Sequence, residues 1–220
     1  MTGLARWAGA AVAVAALAGC GTSSLASETP SQILAAAATA TRNASGYEIT
    51  STGEFPDSIT SLDLRVAGAD YRGTFVVAGV TINVMQVTGN VYVSAPAAYY
   101  MNAGDSSAAA ADLNDVWVEG AAGSKVANDF SALSARLDIS SDLSSTGTVT
   151  AAGTGNVDGQ PVVILKATDG STVDIASSGP AYPVRVTTTG SDAAVYNLSN
   201  WNGIGTFTAP PSPILIPSTS

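Results

Sequence analysis

The chain has 220 residues, with 17 acidic against eight basic side chains, one cysteine and no histidine. A net charge of −9 argues against nucleic acid as a partner, because phosphate recognition draws on clusters of Lys and Arg. The missing histidine and the single Cys exclude Ser-His-Asp and Cys-His nucleophile sites and any zinc site built on those ligands, so neither an enzyme nor a cofactor is expected.

Residues 1–19 read as a signal peptide. Arg6 is their only charged side chain, and Ala8 to Ala18 hold nothing but Ala, Val, Leu and Gly. This is a charged start followed by an apolar run of about 7–15 residues, shorter than the ~20 a transmembrane helix needs. Leu17-Ala18-Gly19-Cys20 ends the run and resembles the lipobox of bacterial lipoproteins. That resemblance implies that Cys20 becomes the mature N-terminus and carries a diacylglycerol thioether, often with a further acyl chain (palmitate or similar), which anchors the chain on the extracytoplasmic face of the cell membrane. Residues 20–29 then form the lipidated tether, small and polar after Cys20. Losing Arg6 leaves seven basic against 17 acidic side chains, a net charge of −10.

Thr29-Pro30-Ser31-Gln32 opens a helix, with Thr as N-cap, Pro at the first position and Gln closing a capping box. Ile33, Leu34, Ala37, Ala38 and Thr41 share one side, which is expected to face a sheet, and Gly46 reads as the stop. From Tyr47 the period becomes two. Tyr47, Ile49, Ser51 and Phe55 alternate with polar residues, as do Leu62, Leu64 and Val66, and strands follow through Phe75–Val77, Ile82–Val87 and Val91–Val93. The connections are too short for anything but antiparallel neighbours, in a sheet wet on one side.

Pro96, Tyr99-Tyr100-Met101 and an Ala-rich stretch after Asp105-Ser106 read as a loop and a short helix. Val116-Trp117-Val118 reads as a brief strand, and Asn128 caps a helix whose Phe130, Leu133 and Leu137 form one stripe. Strands return over 148–154, 161–167, 172–176, 182–188 and 194–198, with hairpin turns at Asp158-Gly159 and Asp169-Gly170. Val162-Val163-Ile164-Leu165 lacks alternation, so that strand is expected to be covered on both faces. Residues 210–220, with four prolines, read as a tail without regular structure, the alternative being that the apolar Ile214-Leu215-Ile216 dock on the sheet or plug the cavity.

The order of helix, antiparallel meander, helical insert and second meander resembles the LolA-like lipoprotein carriers, above all their lipid-anchored actinobacterial LppX/LprG branch. The resemblance rests on Val116-Trp117-Val118, Val157-Asp158-Gly159-Gln160-Pro161-Val162-Val163, Tyr182-Pro183-Val184-Arg185-Val186, Tyr196 to Asn202 and Ala209-Pro210. It covers roughly residues 30–210 and makes residues 30–209 one domain, α+β but mainly β. The implied fold is a strongly curved antiparallel half-barrel sheet, with the N-terminal helix and a helical insert over its concave face. Between them the resemblance implies an apolar cavity for an acyl chain of a lipid or glycolipid, carried or presented across the envelope, with an envelope transporter as a further partner.

Cavity-lining candidates are Leu34, Phe75, Val77, Ile82, Val84, Tyr99, Tyr100, Met101, Phe130, Leu133 and Leu137. Tyr99, Tyr100 and Met101 admit two readings, a lip at the mouth or packing under a loop. The last three either roof a cavity or form an ordinary amphipathic helix. Trp117 and Trp201 read as packing residues. The inward positions are few and small, which fits room for a lipid or close approach of helix and sheet. A solid-cored lipoprotein acting through protein contacts is the alternative, and a monomer is expected.

Overall fold

The computed structural model describes residues 25–53, 59–120, 139, 141, 143, 147–190 and 193–216. Cys20 and the stripe Phe130, Leu133 and Leu137 lie outside them.

Helix α1 (Pro30–Asn43) begins as its sequence dictates. Thr29 Oγ1 accepts from the Gln32 N–H, and Gln32 Oε1 accepts from the Thr29 N–H at 3.0 Å. Ile33, Leu34, Ala37, Ala38 and Thr41 are its buried residues, the five expected. The helix ends before Gly46, at Ala44 in an extended conformation. Gly46 is required instead by close approach, since a Cβ there would overlap the Val66 carbonyl.

The strands are β1 (Tyr47–Gly53), β2 (Ile59–Ala67), β3 (Asp70–Val77), β4 (Val80–Val87), β5 (Asn90–Ser94), β6 (Val118–Gly120), β7 (Val149–Val157), β8 (Gln160–Ala167), β9 (Thr172–Ala176), β10 (Pro183–Thr187), β11 (Ala194–Ser199) and β12 (Ile214–Ile216). They form one open, curved sheet in the order β12-β6-β5-β4-β3-β2-β1-β11-β10-β9-β8-β7. Each meander is built of antiparallel hairpins, and β1 with β11 joins the two, Ile49 facing Leu198. Two-residue turns close the hairpins where φ must be positive, as at Asp158 (50°) and Gly159 (86°). The short elements α2 (Ala97–Asn102) and α3 (Ser107–Asp112) follow β5. α2 stands where a loop was expected, and β6 starts two residues later than expected.

Inward residues of the sheet, including Leu64, Phe75, Ile82, Val84, Leu165 and Ile175, form one core with the buried side of α1. On β8, Val163 and Leu165 enter that core, while Val162 packs on the other face with Val157, Ala176 and Val184. The strand is thus covered on both faces.

The expectation of an irregular tail after Ala209 is corrected. Residues 200–213 run across the convex face, where Phe207 and Ala209 pack on Met85, Val87, Tyr92 and Trp117. The chain then pairs Ile214–Ile216 with β6, the one parallel pair among the described strands. Prolines 213 and 217 flank this strand and so remove no ladder donor from it.

Candidate functional site

The concave face collects most of the expected residues. Leu34, Phe75, Ile82, Val84 and Tyr100 are buried in the core, and Val77 and Tyr99 are half-buried against it. Met101 does not join them. It is 47 % exposed on α2, because neighbouring residues of a helix point about 100° apart, and Tyr100 takes the inward position. Phe75, Ile82 and Val84 are at most 1 % exposed, so under the first meander these side chains are packed rather than bordering open space.

An apolar cavity of about 90 Å3 lies under the second meander. Val149, Leu165, Ala167, Val173 and Val186 of β7 to β10 line it, with Ile139 and Leu143 as the facing wall. None of the sequence-derived candidates that lie among the described residues is among its described lining residues. The signal was present in the period-two spacing of Val163, Leu165 and Ala167 and of Val173 and Ile175, inward residues separated by outward ones.

Ionisable groups near the core are few. Burial pushes the Tyr100 hydroxyl up to about 12, helped by Tyr99, whose ring meets it edge-on at 5.4 Å, and by Asp105 and Asp115. Its hydroxyl oxygen has no hydrogen-bond partner among the described residues. On the convex side Asp174 is buried, and desolvation raises its carboxyl above the usual range although Arg185, its cross-strand neighbour, pulls the other way.

Trp201 closes one end of the sheet as a packing residue. It stacks on Tyr182 with centroids 4.5 Å apart and planes at 3°, and meets Tyr47 at 4.8 Å. Asn202 fixes this corner: its Oδ1 accepts from the Ser45 N–H at 2.8 Å, and its Nδ2 donates to the Tyr182 hydroxyl at 2.7 Å. Trp117 packs on the convex side under Phe207 and Ala209. Both tryptophans therefore serve packing, as expected.

No protein-family model matches the chain, and no curated protein matches it in sequence. Solved structures do. LprF from Mycobacterium bovis superimposes with a TM-score of 0.61 at 16 % identity, over 82 % of this chain and 96 % of that one. The lipoprotein LppX from Mycobacterium tuberculosis gives 0.55 at 19 % identity, over 81 % and 99 %. The chain has the fold of the LppX/LprG-type mycobacterial lipoproteins.

Proposed function

We propose that this chain is an envelope lipoprotein, anchored through Cys20 on the extracytoplasmic face of the cell membrane. Its concave face receives an acyl chain of a lipid or glycolipid, which it carries or presents to an envelope transporter. The work is binding rather than catalysis. Burial of apolar surface, at roughly 25 cal/mol per Å2, supplies the affinity without a cofactor.

The observation that carries this reading is the apolar cavity between the sheet of β7 to β10 and Ile139 and Leu143. Among the described residues its lining is mostly hydrocarbon, with Ser171 and Thr172 as the polar residues, which suits an alkyl chain. The likeness in fold to LppX, itself described as a lipoprotein, agrees with an anchored chain.

One observation favours a second reading, a solid-cored lipoprotein that acts through protein contacts. The cavity of about 90 Å3 is well below the ~300–1,000 Å3 of ordinary ligand sites. Ala167→Phe separates the two. In the carrier the ring occupies ligand space, so co-purified lipid falls while the melting temperature holds. In a solid core the same ring overpacks, at a cost of roughly 1–3 kcal/mol. Anchoring is tested by Cys20→Ala, which is expected to release the protein from the membrane fraction or leave it uncleaved; normal processing with unchanged membrane partition would overturn it.

A further inference from the structure

The convex face carries a feature that lipid binding on the opposite side does not use. Cross-strand registers place Arg65 of β2 directly opposite Arg72 of β3. In the adjacent rung Asp63, Thr74 and Asn83 stand side by side across β2, β3 and β4. Alternation puts all five on the convex side, away from the inward Leu64, Phe75 and Ile82. They surround a polar recess of about 330 Å3 floored by Gly73. At Gly73 the strands come so close that a Cβ would overlap the Asp63 carbonyl.

Two arginines directly opposite each other on neighbouring strands repel. The chain holds only eight basic residues, yet it sets two of them together. Arg65 is partly compensated, since its Nε donates to Glu48 Oε1 at 2.8 Å. That bond uses Nε, and its two terminal nitrogens make no hydrogen bond among the described residues. Arg72 makes no hydrogen bond or ion pair among the described residues. The recess therefore offers two adjacent guanidiniums, of which Arg72 has no counter-ion of its own among the described residues. Beside it lie one carboxylate, one hydroxyl and one amide, groups that bind hydroxyls rather than charge.

We propose that this recess binds an anionic polyol, the phosphate of a sugar phosphate or of a polyol-phosphate headgroup bridging Arg65 and Arg72. Asp63, Thr74 and Asn83 take the ligand's hydroxyls. Asp63 repels a bare anion and accepts from a hydroxyl, so it selects hydroxylated anions over inorganic ones. The site is independent of the concave cavity and stands whether or not that cavity holds lipid.

Calorimetric titration of the full chain with α-D-glucose 1-phosphate, D-glucose and glycerophosphoglycerol tests it. Saturable binding of a phosphate-bearing ligand is expected, with glucose itself silent and affinity at least about tenfold weaker in Arg72→Gln, the loss of one charge-assisted contact. Tighter binding of glucose 1-phosphate upholds the site with a soluble ligand; tighter binding of glycerophosphoglycerol upholds it with a lipid headgroup. In phosphate-free buffer of low ionic strength the Arg72→Gln variant should melt no lower than the parent, since it relieves a repulsion. No binding by the parent, equal binding by Arg72→Gln, or a variant that melts several degrees lower would each overturn the proposal.

Discussion

Truncation of the C-terminus tests the packing of the convex face quantitatively. Ending the chain after Ser212 removes β12, whose Ile214 and Leu215 remain 42 % and 61 % exposed. Full burial of such a side chain contributes about 1.5–3 kcal/mol, so the two together supply roughly 1.5–3 kcal/mol, reduced by the entropy of ordering the segment. For a domain of this size 1 kcal/mol moves the melting temperature by about 2–4 °C, which predicts a fall of roughly 2–8 °C. Ending the chain after Gly205 also removes Phe207 and Ala209 and uncovers Met85, Val87 and Tyr92, each at most 8 % exposed. At roughly 1.5 kcal/mol or more for each, the longer truncation should cost well over ~10 °C. Thermal unfolding followed by circular dichroism reads both. If the two truncations melt together, the strap over Met85 and Tyr92 carries no stability and the account of that face is wrong.

Three further expectations follow from single sites. Gly73→Ala should destabilise by about 1–3 kcal/mol in denaturant titration, because its Cβ has no room against the Asp63 carbonyl; a neutral result would mean that β2 and β3 part easily there. Asp174 has a carboxyl raised by burial, so its contribution is complete below about pH 4, where the group is neutral in both states, and is lost as pH rises. Asp174→Asn should therefore raise the melting temperature at pH 7 and leave it unchanged at pH 3, and a loss at pH 7 would show that the Arg185 attraction dominates. Tyr100, held at about 12, contributes stability that is complete below about pH 10 and declines as pH rises toward 12. Tyr100→Phe should remove that alkaline decline at a cost below ~1 kcal/mol, because the hydroxyl has no partner to lose among the described residues; an unchanged pH profile would contradict the assignment.

Local signals carried far into this fold. The capping box at Thr29, the buried side of α1 and the alternation of Leu62, Leu64 and Val66 are set by residues within one or two turns of each other, and each appears where its spacing places it. The Asp158-Gly159 turn needs positive φ at both positions and has it. What was not legible depends on distant partners. Phe207 and Ala209 sit between prolines and glycines with no period of their own, and gain their role only by meeting Met85 and Tyr92 more than a hundred residues away. Ile214-Leu215-Ile216 was judged by its prolines, but a three-residue strand needs no donor from residues outside it. Of the cavity candidates, Phe75, Ile82 and Val84 belong to the first meander and are fully packed. Large residues fill space, and the gap lies instead where Ala167 and several valines line the second meander.

Native mass spectrometry of the full chain, released gently from detergent, tests the carrier reading most directly. The account predicts a mass adduct in the range of one lipid molecule beyond any acylation of Cys20. That adduct should be lost on gas-phase activation and depleted in Ala167→Phe, with the melting temperature of that variant unchanged. A parent chain free of adduct, together with an Ala167→Phe variant that melts several degrees lower, would contradict it and assign the concave face to a solid core.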